Sequence, residues 1–235
     1  MPRFPAPRAL AERRPFLLAS IAAALAFFYL RAGPWPEFYL VPIKGAALIL
    51  LAAYAWLRHK SRDGRMLALL LLVGAAAEMA LEVDFRAAHA LFFLYCIVAL
   101  VLLLPHRRDH LAVSQKRAVV ALFLLPPLIL YLLAGEWLGG AGSAAYGLAL
   151  GGMAAAAWAS SFPRYRTGAG VVLVMLANLL FFAGIGPLQG SAVPQIFTWP
   201  LAYLGQLLLC IGVLRTLHRR DPQLWLASHD RGSLH

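Results

Sequence analysis

Apolar residues in this chain gather in eight runs, at about 16–31, 38–57, 66–82, 87–104, 118–135, 142–159, 169–186 and 194–214. A helix rising 1.5 Å per residue needs roughly 20 such residues to cross a bilayer, and each run is long enough or nearly so. Polar and turn-forming breaks separate them. They are Gly33-Pro34-Trp35-Pro36-Glu37, Arg58 to Arg65, Glu82 to Arg86, Pro105 to Arg117, Gly135-Glu136, Phe162 to Gly168 and Gly186 to Pro194. The pattern predicts an all-α, polytopic membrane helix bundle of eight transmembrane helices over 16–214. A tail of residues 1–15 precedes it and a tail of 215–235 follows. Pro126-Pro127 should kink the fifth span, which a helix packed inside protein tolerates.

Composition agrees with this pattern. Of 235 residues, 62% are hydrophobic and 13% carry a formal charge, the latter about half the share of a soluble domain. A soluble globular domain, a disordered chain and a disulfide-stapled module are excluded. Eight spans leave almost no chain for a separate soluble domain, so any site lies within or between helices. Cys96 and Cys210 each sit inside an apolar run and read as small core residues. Arg13-Arg14 before the first run resembles an export signal, but that run continues the multispan pattern.

The net charge of +11 would suggest nucleic acid in a soluble protein, and its distribution gives it another meaning. Eighteen Lys and Arg residues fall in the N-terminal tail, the second, fourth and sixth breaks and the C-terminal tail. The alternate breaks hold only Arg31 and Arg86, and Lys44 lies inside the second span. Such a bias places both termini in the cytoplasm, and no nucleic-acid partner is implied. Arg outnumbers Lys, and Ala is abundant, which points to a bacterial inner membrane.

Polar groups inside spans are costly in hydrocarbon and carry the functional information. Lys44 lies near the outer end of span two and Glu78 near the outer end of span three. Asn178 is mid-span in span seven, Tyr203 and Gln206 are mid-span in span eight, and Tyr146, Tyr95 and His89 lie in the outer halves of their spans. Similar depth on several helices predicts one polar cavity facing away from the cytoplasm, shared by Lys44, Glu78, Asn178, Tyr203 and Gln206. Structural readings stand beside this one. Lys44 can snorkel to the interface, Glu82 can sit solvated there, Tyr146 can belong to an aromatic belt, and Asn178 and Gln206 can bond helix to helix. Glu78, a turn inside its span, needs a partner or a proton. No metal site is apparent, because His89 stands alone in the outer half.

Five segments occur in a particular order. Pro42-Ile43-Lys44 opens span two, and a small-residue run ending in an acid, Gly74-Ala75-Ala76-Ala77-Glu78, lies in span three. Tyr146 and Met153 lie seven apart in span six, Gly170 to Leu180 forms span seven, and Tyr203-Leu204-Gly205-Gln206 lies in span eight. Their order and spacing over about 38–214 resemble the YhhN family of eight-helix membrane proteins, whose animal members are lysoplasmalogenases. The family's Gly-Asp of span three is Ala77-Glu78 here, its Ser-Asp of span seven is Ala177-Asn178, and its fourth-span His falls at Tyr95 or Cys96.

The resemblance implies hydrolysis of a lysoplasmalogen-type vinyl ether in a lysolipid, releasing a fatty aldehyde, without a cofactor. Glu78 would be the acid and Glu82, four residues on, a second one; Asn178 would orient water, and Asn178→Asp would return the family's second carboxylate. Lys44 would bind the lipid phosphate, with Tyr95, Tyr146, Tyr203 and Gln206 completing the substrate site. An apolar span favours a neutral carboxyl group and a nearby Lys44 favours the ionised one, so their separation matters. Two other readings stay open: a family member that binds or moves a single-chain lipid without hydrolysing it, and a small transporter. The sequence leaves the oligomeric state undefined.

The charge bias yields a direct test. Reporter fusions at Leu111 and His235 should read cytoplasmic and one at Gly140 external. A cytoplasmic signal at Gly140 would sink the eight-span topology.

Overall fold

The computed structural model describes residues 14–133 and 139–220. Of these, 85% are helical and none forms a strand. Among the described residues eight α-helices follow one another: α1 Arg14–Leu30, α2 Glu37–Arg58, α3 Arg62–Ala80, α4 Phe85–Leu103, α5 Val113–Leu133, α6 Gly139–Ala159, α7 Ala169–Ile185 and α8 Ala192–Arg220. Each apolar run therefore has its helix. Five helical stretches, Phe38–Arg58, Phe85–His106, Val113–Leu133, Arg164–Ile185 and Ala192–Arg220, are long and apolar enough to cross a membrane. The chain thus has the build of an integral membrane protein. The expected tail before residue 14, the Gly135-Glu136 break and the tail beyond residue 220 lie outside the described residues.

Local chemistry sets several boundaries. The Ser61 hydroxyl accepts from the Gly64 amide at 3.1 Å and starts α3, and Asp84 accepts from the Arg86 amide at 2.8 Å and starts α4, each satisfying a donor that the helix leaves free. The end of α3 differs from expectation. The helix stops at Ala80, so Glu82 lies past it in a tight turn, closed by bonds from Glu82 N to Met79 O and from Asp84 N to Ala80 O. Helix α8 continues to Arg220, beyond the expected limit at 214. Pro126 and Pro127 lie inside a continuous α5, and Gly147 of α6 lies directly against Pro127. Helix α5 is nonetheless the least buried of the five long apolar helices, so packing at the two prolines is local.

Packing follows chain order: α1 on α2, α2 on α3, α3 on α4, then α5 on α6 and α7 on α8. Contacts of α4 with α6 and of α2 and α3 with α8 join the two halves. The core is dominated by Ala and Leu, and Cys96 and Cys210 lie buried and free within it. Hydrocarbon solvent gives apolar faces little reason to associate, so close approach through small residues matters. The crossing of α7 and α8 shows this. A Cβ on Gly170 would meet Gly205 O at 2.6 Å and Leu209 N at 2.7 Å, and one on Gly205 would meet Gly170 O at 2.6 Å.

That crossing makes a testable contrast. Gly205→Ala should destabilise by about 1–3 kcal/mol, because backbone atoms must move apart. At Gly152 the nearest atom to an added Cβ is 3.8 Å away, so Gly152→Ala should leave stability unchanged or raise it by up to about 1 kcal/mol through helix propensity. Thermal unfolding in detergent, followed by tryptophan fluorescence, separates the two.

Candidate functional site

Residues from one end of the bundle converge on a single cluster. They come from the C-terminal ends of α1, α3 and α7 and from the N-terminal ends of α2, α4 and α8. At its centre is Lys44, in the second turn of α2. Its Nζ lies 3.0 Å from Oε2 of Glu78 and 2.7 Å from Oε1 of Glu82. The Lys44 and Glu78 side chains are 6% and 8% exposed, and that of Glu82 is 31% exposed. The turn after Ala80 returns the Glu82 carboxylate to the same ammonium that Glu78 meets. The ammonium also sits 5.4 Å from the ring centre of Phe27 and 5.7 Å from that of Trp199, within range for cation–π attraction.

This geometry revises two readings of Lys44. It does not snorkel to the interface, and it is not a free phosphate binder, because two carboxylates already surround it. A formal count gives one positive charge against two negative ones in a largely water-free place. A buried ion pair must recover a large desolvation cost through close contacts, which the two short distances supply.

Beside the cluster lies a partly open cavity of about 380 Å³, within the usual range for small-molecule sites. Its wall includes Lys44, Glu78, Glu82, Tyr146 and Asn178, together with phenylalanines from α1, α4 and α7 and Trp199. Charged groups therefore occupy one side of an aromatic chamber. Arg31, just past α1, also lines it; its guanidinium lies 4.7 Å from the Phe28 ring and donates to Ile196 O at 3.3 Å. Among the described residues Arg31 makes no ion pair. His89 lines the cavity as well, its ring centre 4.4 Å from that of Tyr146.

Three of the five residues expected to share a pocket do so: Lys44, Glu78 and Asn178. Tyr203 and Gln206 do not line it, and neither does Tyr95. The Tyr203 hydroxyl is 2.8 Å from Ser20 Oγ. Ser20 gives its own proton to Ala47 O, so Tyr203 donates to Ser20. This chain of bonds ties α8 to α1 and α2. Gln206 and Tyr95 are each 2% exposed, and neither Gln206 Oε1 nor the Tyr95 hydroxyl has a hydrogen-bond partner in the structure.

Asn178 faces the cavity but is engaged elsewhere. Its Oδ1 accepts from the Tyr146 hydroxyl at 2.6 Å, and its Nδ2 donates to Val174 O at 2.9 Å. Its first task is therefore to hold Tyr146 against α7, as the helix-to-helix reading anticipated. Asn178→Asp would set a carboxylate oxygen against the Val174 carbonyl, so the gain expected from a restored acid is offset by lost bonding.

Sequence reasoning gave Arg31 a part in topology alone and passed over Ser20. The signal for Arg31 was its place on the side otherwise stripped of basic residues. Among the described residues no group of three or more His, Cys, Asp or Glu could hold a metal ion. Comparison with models of known families, with characterised proteins and with solved structures returned no match to this chain.

Removing the central cation should be severe. Lys44→Met leaves Glu78 buried beside a second carboxylate, and losing one member of a buried ion pair typically costs about 3–5 kcal/mol. A Lys44→Met protein as stable as wild type in thermal unfolding would contradict the structural role of this cluster.

Proposed function

We propose that this protein is an eight-span membrane hydrolase, with both termini cytoplasmic, that cleaves the vinyl ether of a single-chain lysolipid and releases a fatty aldehyde. The observation that carries the reading is one ammonium shared by two carboxylates in the wall of an aromatic-lined cavity. It accords with the resemblance to the YhhN family and its lysoplasmalogenases. The apolar chain would lie along the phenylalanine wall. Arg31 would face the head group, taking the role first given to Lys44.

Chemistry suits the arrangement. Vinyl ether hydrolysis begins with protonation of the alkene carbon and passes through an oxocarbenium-like cation, and paired carboxyl groups manage a related cation in glycosidases. One ammonium balances one carboxylate, so the cluster can hold a further proton. In this reading Glu78, the more enclosed of the two, is the proton donor and Glu82 the base. Glu78 protonates the carbon, and water adds to the cation while passing a proton to Glu82. The resulting hemiacetal then collapses to aldehyde and alcohol. Lys44 remains charged and holds both carboxyl groups in place.

The assay is aldehyde release by purified protein in detergent. Glu78→Gln removes the transferable proton while keeping size, and should lower the rate by about 10²–10⁴-fold. Glu78→Asp should retain measurable activity. Full activity in Glu78→Gln would eliminate this mechanism. Wild type that releases no aldehyde across several head groups, yet binds lysolipid saturably, would establish the binding-only reading, which the neutral Asn178 favours.

A further inference from the structure

At the end of the bundle opposite the cavity, α2 gives way to α3 through a short basic connection. Arg58, Lys60, Arg62 and Arg65 fall within eight residues there, and Asp63 is the one acid among them. Asp63 is already engaged, its Oδ2 lying 2.8 Å from His106 Nε2. Among the described residues neither Lys60 nor Arg65 makes an ion pair. The Arg65 guanidinium is held across the connection by a bond from its Nε to Lys60 O at 3.3 Å. The Lys60 ammonium makes no hydrogen bond among the described residues.

Trp56, Lys60 and Arg65 line an open recess of about 360 Å³. Trp56 comes from the last turn of α2 and Arg65 from the first turn of α3, and the Trp56 ring is 55% exposed. Apolar side chains continue outward-facing from both. Ile49, seven residues before Trp56, is exposed on α2, and Leu69 and Leu72, four and seven residues beyond Arg65, are exposed on α3. Steps of four and seven keep residues on one face of a helix. At 1.5 Å per residue each stripe runs about 10 Å from the recess toward the middle of the bundle. Two unpaired cations thus stand at the head of an exposed apolar flank, with an indole between.

We propose that this recess binds one membrane phospholipid whose head group is net anionic. Basic pockets at the ends of spanning helices attract anionic head groups, and a Trp ring suits the boundary between head groups and hydrocarbon. The lipid phosphate meets Lys60 and Arg65, and an acyl chain lies along Ile49, Leu69 and Leu72. Charge sets the class. A zwitterionic phospholipid brings its own cation toward the same two side chains, which offsets the attraction to its phosphate. A soluble phosphate meets the cations but leaves the apolar flank unused. The site lies at the other end of the bundle from the cavity and does not depend on the proposed hydrolysis.

The test uses the full chain in a neutral detergent, titrated with phosphatidylglycerol, phosphatidylcholine or glycerol phosphate. Native mass spectrometry should show phosphatidylglycerol retained in preference to phosphatidylcholine, and Tm should rise by several degrees with phosphatidylglycerol alone. Each basic side chain at a membrane surface is worth about a fivefold change in affinity, so Lys60→Gln with Arg65→Gln should weaken phosphatidylglycerol binding about 30-fold. Lys60→Glu, a change of the same two charge units at a side chain that holds no part of the fold, should weaken it by a similar factor. Lys116→Gln with Arg117→Gln removes equal charge from exposed positions at the start of α5 and should leave binding unchanged. Equal retention of phosphatidylcholine, an equal loss in the α5 pair, or undiminished binding in Lys60→Glu would each overturn the site. A full rise in Tm with glycerol phosphate would overturn the lipid assignment, because the apolar flank would then contribute nothing.

Discussion

The structure depends on one constraint: a lysine ammonium inside a helix bundle must meet negative charge. Lys44 meets Glu78 and Glu82 at 3.0 and 2.7 Å. That contact fixes the rotation of α2 against α3, because a modest turn of either helix would strand a charge in a low-dielectric interior. It also explains why the chain turns tightly after Ala80, since the turn brings a second carboxylate to the same nitrogen. Phe27 and Trp199 close over the ammonium from α1 and α8, so four helices are registered around one atom.

Other polar contacts pin the remaining helices. The chain Tyr203 to Ser20 to Ala47 O binds α8, α1 and α2, and Trp199 Nε1 adds a bond to Ala24 O at 3.1 Å. Tyr146 and Asn178 join α6 to α7. In hydrocarbon these bonds and the glycine-mediated crossings stand in for the missing hydrophobic drive between helices. The pins leave the cavity as the space that the aromatic rings do not fill.

The two ends of the bundle are built differently. The end opposite the cavity is tied by basic side chains and backbone. His106 Nε2 lies 2.8 Å from Asp63 Oδ2, Arg108 donates to Phe162 O at 3.1 Å, and Arg220 donates to Ser161 Oγ at 3.0 Å. Basic residues there close the structure. At the cavity end they are scarce, so the guanidinium of Arg31, which makes no ion pair among the described residues, stands out as a chemical group rather than as part of a charged rim.

Sequence by itself determined the helical architecture, the limits of most helices to within a few residues and the exceptional standing of Lys44 and Glu78. These are readable because a helix rises a fixed distance per residue, and because charge inside an apolar run is costly whatever surrounds it. Only the tertiary structure decided which groups meet. Asn178 and Gln206 both lie mid-run in the sequence, yet one faces the cavity and the other packs against Gly74 of α3. On α8, Trp199 and Ala202 line the cavity while Tyr203 and Gln206 turn elsewhere. Rotation about a helix axis is set by neighbouring helices, through glycine contacts and ion pairs between residues far apart in the chain. An apolar run with no pronounced amphipathic face carries little of that information.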